Sequence, residues 1–67
     1  SNDEGNPLKG IKTGVLNFTT CNGGTKVGNT IYPSNANEML IFDNTLKHNG
    51  LVQTDTPVRI ILNINWE

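Results

Sequence analysis

The clearest pattern in the chain is an alternation near its C-terminal end. Val58, Ile60, Leu62, Ile64 and Trp66 are apolar, and Arg59, Asn63, Asn65 and Glu67 stand between and after them, with Ile61 the one break in the pattern. Successive side chains of a strand point to opposite faces. A strand over 58–66 therefore offers one continuous hydrophobic face to a core and turns Asn63 and Asn65 to water. Arg59 and Glu67 fall at its ends, where charge costs little. At ~3.3 Å per residue it spans about 30 Å, which is long for a chain of 67 residues. A long edge of this kind invites pairing with another chain.

Earlier segments give weaker versions of the same signal. Ile11 to Thr20 carries Val15, Leu16 and Phe18 among threonines and reads as a strand with Leu16 and Phe18 on one face. Cys21-Asn22-Gly23-Gly24 supplies turn chemistry. Thr25 to Tyr32 follows as a second strand, with Val27, Asn29 and Ile31 on one side, and the two strands make a hairpin. Pro33 ends it. Ser34 to Glu38 reads as a loop or a single helical turn capped by Ser34. Met39-Leu40-Ile41-Phe42 is wholly apolar, as expected of a strand buried on both faces. Asp43-Asn44 offers a turn or bulge, and Asn49-Gly50, between Leu46 and Leu51-Val52, signals a further hairpin. Residues 1–10 read as a flexible lead-in or linker, which leaves 11–67 as a single small β domain. The expected fold is all-β: a small antiparallel sheet of four to six strands, folded as a compact sandwich or a barrel-like meander.

Composition strengthens the β reading and adds a requirement. Asn (eleven), Thr (eight) and Gly (seven) are abundant, while Ala appears once; this favours pleated surfaces and turns over helices. The hydrophobic share, 34%, is low, and a domain of this size buries only about 60% of its unfolded surface. Ordering the backbone costs roughly 1–2 kcal/mol per residue, so one copy has a thin core. Small domains close such a gap with disulfides, a metal or oligomerisation. Cys21 is the sole cysteine, and one His (His48) without CxxC, HxxxH or EF-hand spacing offers no metal site. Association is what remains, as a homo-oligomer (a trimer among its forms) or within a larger parent assembly.

Charge excludes further classes. The net charge is −1 and the five Lys/Arg are scattered, so there is no basic footprint for nucleic acid. The longest apolar run is the four residues from Met39 to Phe42, too short to span a bilayer. The chain opens on Ser1 without an initiating Met or a signal peptide, as expected of a processed or excised form.

Candidate chemistry is sparse. Cys21 and His48 are the one pair of types that could act as nucleophile and base, but a catalytic thiol needs its His within hydrogen-bond reach, and each stands at its own expected turn. Glu38 and Asp43 flank the apolar run and could meet. Paired-carboxylate chemistry needs a cleft that encloses substrate, and so small a chain has little room for one. Gly23-Gly24 and Gly28 lead into a strand and not a helix, so they form no phosphate loop. Asn17-Phe18-Thr19 matches a glycosylation sequon, a tripeptide that chance supplies in so Asn- and Thr-rich a chain. No catalytic residue, cofactor or metal ligand is assigned, and the chain is read as no enzyme. Tyr32, Asn35, Asn37 and Trp66 are the candidate binding residues, since aromatic faces stack on sugars and amides serve hydroxyls as donor and acceptor.

Lys9-Gly10-Ile11-Lys12 fits the first strand of a cold-shock or OB-type domain, but the clustered surface aromatics and basic face that stack bases in such domains are missing. In texture, the Asn/Thr/Gly-rich short strands resemble the fibre, spike and adhesin proteins of viruses and bacterial surfaces. That likeness implies an extracellular, virion-surface or cell-surface location. The expected function is a non-enzymatic structural or attachment module of an oligomeric or surface assembly. The alternatives are a carbohydrate-binding module and a small regulatory protein that binds one partner through an exposed strand edge.

Overall fold

A computed structural model describes residues 9–67, so the expected lead-in, apart from Lys9 and Gly10, lies outside the described residues. Within them six strands form: β1 (Lys12–Asn17), β2 (Cys21–Val27), β3 (Thr30–Ser34), β4 (Met39–Asp43), β5 (His48–Leu51) and β6 (Ile61–Trp66). They pair antiparallel into two three-stranded sheets, β4-β1-β6 and β3-β2-β5. The fold is all-β, as the sequence predicts.

Turn chemistry misplaces two connections. The hairpin expected between 11–20 and 25–32 is absent, because β1 and β2 lie at the centres of different sheets. Asn22-Gly23-Gly24 stays extended inside β2, where the pairing register shifts between Cys21 and Gly24. Gly24 is needed there for close approach: a Cβ would sit 2.4 Å from the Tyr32 carbonyl oxygen. The chain reverses instead at Gly28-Asn29, with Gly28 at φ +59, a conformation that costs glycine little. Asn49-Gly50 likewise lies within β5, opposite Lys26 and Thr25. The turn before it is the one expected at Asp43-Asn44, closed by Leu46 N–H donating to the Asp43 carbonyl at 3.0 Å. Pro33 falls inside β3 and does not end it; β3 is an edge strand, where proline is tolerated. Ser34 caps no helix. It is buried, and its hydroxyl donates to the Thr19 carbonyl at 2.6 Å.

The core lies between the sheets and is small. Val15 of β1, Val27 of β2 and Phe42 of β4 are its buried hydrophobics, with Leu40 packed against them. More polar side chains are buried than apolar ones: Thr13, Asn17, Thr25, Ser34 and Asn44. Thr13, Asn17, Ser34 and Asn44 hydrogen-bond through their side chains, as burial demands. Asn44 Nδ2 donates to Thr13 Oγ1 at 2.8 Å, and Thr13 Oγ1 donates to Asn65 Oδ1 at 2.8 Å. Asn17 Nδ2 donates to the Glu38 carbonyl at 3.2 Å, and Asn17 Oδ1 accepts from Arg59 Nη2 at 2.9 Å.

These bonds overturn the expected orientation of the last strand. β6 covers 61–66 and not 58–66, and its apolar row faces outward. Register explains this. Thr13 pairs with Asn65 and Val15 with Asn63, so the amide face of β6 lies on the buried face of β1. There Asn65 meets the hydrogen-bonding need of Thr13, which is 1% exposed. Arg59, expected at a solvent-exposed strand end, instead spans the two sheets, donating from Nη1 to the Gly24 carbonyl at 3.1 Å and from Nη2 to Asn17. β4 is buried on one face only: Leu40 and Phe42 point inward, while Met39 and Ile41 are exposed.

Candidate assembly surface

The outer face of the first sheet gathers the side chains that the interior leaves out. The register sets Ile41, Gly14 and Ile64 side by side across β4, β1 and β6, and next to them Met39, Leu16 and Leu62. Trp66 closes the row beside Lys12 and Asp43, which form an ion pair. One step past the strands, Phe18 N–H donates to the Ile60 carbonyl at 3.0 Å, which extends the apolar rows by Phe18 and Ile60. Ile41 is 55% exposed and Trp66 37%. At about 200 Å² per side chain, the exposures of Met39, Ile41, Ile60, Leu62, Ile64 and Trp66 leave on the order of 550 Å² of apolar surface in water. That is near the upper end of the largest patch on an ordinary monomer, about 300–600 Å².

Gly14 shapes the middle of this face. With no side chain of its own it leaves a trough, and the Met39 methyl and the Trp66 ring fold over it. A Cβ at Gly14 would lie 2.3 Å from Met39 Cε and 3.0 Å from Trp66 Cζ3. The face is therefore continuous and free of charge except at its Lys12–Asp43 end.

The expected sugar-binding residues do not converge. Tyr32 and Asn35 line an open cleft of about 270 Å³ where β3 passes into β4, together with Asn17, Thr25, Glu38 and Met39. Asn35 Nδ2 donates to Glu38 Oε1 at 3.1 Å. Asn37 sits in the adjoining turn at φ 69 and does not line the cleft, and Trp66 belongs to the outer face.

Other candidate groups are kept apart. Cys21 pairs with Ser34 and His48 with Val27, at opposite ends of β2 and about 20 Å apart at ~3.3 Å per residue. They form no nucleophile–base pair. His48 Nδ1 donates to the Leu46 carbonyl at 2.7 Å, and its ring lies against Phe42 with centroids 4.8 Å apart. Glu38 and Asp43 flank β4 at its two ends and do not meet. Asn17 of the sequon is 5% exposed with its amide bonded to Glu38, so in the folded chain it cannot accept a glycan. Among the described residues no three His, Cys, Asp or Glu gather as a metal site, and no helix is long and apolar enough to cross a membrane.

What the sequence reading missed is that Leu16, Met39 and Ile41 belong with the β6 row. The signal was present in Met39-Leu40-Ile41-Phe42, since a run that is apolar at every position has two faces to cover. Comparison with protein-family models, curated proteins and solved structures finds no match for this chain.

Proposed function

We propose that the protein is a non-enzymatic structural module that works as part of a homo-oligomer, with the outer face of the first sheet packed against a second copy. The observation that carries the reading is the placement of apolar side chains: more of them lie on that face than in the core of Val15, Val27, Phe42 and Leu40. Two such faces brought together remove on the order of 1,100 Å² from water, above the roughly 1,000 Å² expected of a specific interface. They form a sheet-on-sheet packing about 10 Å thick. A second copy suits the face because it offers the same apolar surface, charged only at its Lys12–Asp43 end. Burial of this size also meets the need of a small domain for stabilisation from outside its own core. An attachment role at a virion or cell surface is the setting in which the Asn/Thr/Gly-rich texture fits.

Sedimentation equilibrium of the wild type and of Ile41→Lys tests the reading. Self-association at micromolar concentration, weakened at least about tenfold in a variant that keeps its β-type circular dichroism, is expected. A wild type that stays monomeric up to millimolar concentration overturns it.

A second reading rests on the cleft. Tyr32 beside Asn35 and Glu38 offers a ring face next to an amide and a carboxylate, a combination suited to a single sugar residue. A glycan array separates the two: a signal lost in Tyr32→Ala supports the cleft, and no signal above background removes it.

A further inference from the structure

We propose that the free edge of β6 pairs with β6 of a second copy, antiparallel and centred on Asn63, so that two three-stranded sheets join into one of six strands. Four strands lie at sheet edges: β4, β6, β3 and β5. Edges are normally guarded by proline, charge, glycine or shortness. β3 carries Pro33; β5 has four residues and includes Gly50; β4 ends on the charged Asp43 and follows Glu38. β6 has no charge, proline or glycine anywhere from Ile61 to Trp66.

The backbone of β6 points the right way for such pairing. Phe18 N–H bonds the Ile60 carbonyl, and in an antiparallel ladder hydrogen-bonded and non-hydrogen-bonded pairs alternate. Residues 60, 62 and 64 therefore turn their backbone groups towards β1, and Ile61, Asn63 and Asn65 turn theirs outward. Among the described residues no other strand pairs with that edge.

The sequence on either side of Asn63 is complementary to itself. With Asn63 opposite Asn63 of the second copy, Ile61 faces its Asn65, Leu62 its Ile64, Ile60 its Trp66 and Arg59 its Glu67. Every outward N–H and C=O of 61, 63 and 65 then finds a partner, and apolar side chains meet apolar ones on the outer face. Moving the centre to Leu62 sets Asn65 opposite Arg59, and moving it to Ile64 sets Ile61 opposite Glu67, so that an outward-facing residue of β6 falls opposite one beyond the strand. A slip by one residue sets the apolar row against the amides. The pairing leaves the outer face open and doubles its width, so it rests on a separate observation from the face contact proposed above.

Cysteine cross-linking reads the register directly. Facing Cα atoms of a hydrogen-bonded pair lie about 5.5 Å apart, within the range a disulfide spans. In a Cys21→Ser background, Asn63→Cys is expected to form a covalent dimer on mild oxidation, and Asn65→Cys alone at least about tenfold less. Ile61→Cys mixed with Asn65→Cys is expected to form the heterodimer. Asn63→Pro gives a second readout, because its N–H faces outward and its loss leaves the β1–β6 ladder intact. That variant is expected to keep its circular dichroism and to weaken self-association about tenfold or more. Asn63→Cys cross-linking no better than Asn65→Cys overturns the proposal, as does self-association unchanged in Asn63→Pro. Because Ile41→Lys lies on β4, away from this edge, it is expected to leave the Asn63 cross-link in place. Association lost in Ile41→Lys together with no Asn63 cross-link removes the edge pairing and keeps the face contact.

Discussion

The two faces of the first sheet reverse the usual distribution of polar and apolar groups. Inward, β1 presents Thr13, Val15 and Asn17 and β6 presents Ile61, Asn63 and Asn65; outward, the same strands present Gly14, Leu16, Leu62, Ile64 and Trp66. A buried amide or hydroxyl is costly unless bonded, so the inner face tolerates few alternative registers: Asn65 must meet Thr13, and Asn17 must meet Arg59 and Glu38. Apolar contact is less directional and carries area. The comparison separates two tasks within one sheet. Polar bonds inside specify the pairing of the strands, and the hydrophobic area outside is left for a partner.

If that division holds, substitutions inside harm the single copy far more than substitutions of equal or larger size outside. The largest expected effect is Phe42→Ala. It removes the largest of three buried hydrophobics at a cost of about 3–5 kcal/mol, enough to unfold a domain with so small a core. Urea titration at low concentration is expected to show no folded baseline. Trp66→Ala deletes a larger side chain from the outer face and is expected to leave that baseline intact; equal damage from both would erase the distinction between the faces.

Two glycines make the next contrast. At Gly24 an added Cβ meets backbone, the Tyr32 carbonyl oxygen at 2.4 Å, whereas at Gly14 its nearest neighbour is the mobile end of Met39. Gly24→Ala is expected to cost about 2–3 kcal/mol through a forced shift of β3, and Gly14→Ala less than about 1 kcal/mol once Met39 turns aside. Thermal melts of the pair give the ordering, and its inversion would place the rigid region outside.

Asn17→Ala follows, at about 2 kcal/mol, because it takes away the acceptor of the Arg59 guanidinium and of the Ser34 hydroxyl. Arg59→Met in the same chain removes the charge that has lost its acceptor. The double variant is expected to be less destabilised than the two singles added together. Strict additivity would mean that Arg59 does not depend on Asn17.

The same reversal explains what could be read from the chain. Strand content was legible because the period-two rows at Val15 and at Leu62-Ile64-Trp66 follow from backbone geometry alone. Which way a row faces is not a property of the row. It depends on the partner strand, and β1 carries small polar residues on its buried face, so the more apolar side of β6 was displaced outward. Asn49-Gly50 and Asn22-Gly23-Gly24 misled for a related reason: turn residues mark where a chain can reverse, but pairing with β2 holds Asn49-Gly50 extended, and Gly24 pairs on both sides while Asp55 and Thr54 bond Asn22. Arg59 was placed by the habit that charge sits in water; two carbonyl-type acceptors from different sheets, Gly24 and Asn17, outweighed it. Of the four candidate binding residues, Tyr32 and Asn35 share a cleft because they are close in sequence at the end of β3, whereas Trp66 was counted with them from aromatic chemistry that carries no position.

The smallest effect on the single copy is expected from Ile64→Thr. Threonine keeps the β-branched shape that suits a strand and exchanges an ethyl group for a hydroxyl on a face that already meets water. At concentrations where only monomer is present, stability is expected to change by no more than about 0.5 kcal/mol. At concentrations where copies associate, the hydroxyl must be buried without a partner, at about 1–3 kcal/mol for each copy. Association is then weakened by more than tenfold, and the melting temperature loses its dependence on concentration. Measuring the melting temperature across a dilution series, for wild type and Ile64→Thr together, puts both limbs in one experiment. A destabilisation present in full at the lowest concentration would mean that Ile64 is covered by its own chain, and the outer face would then belong to the core.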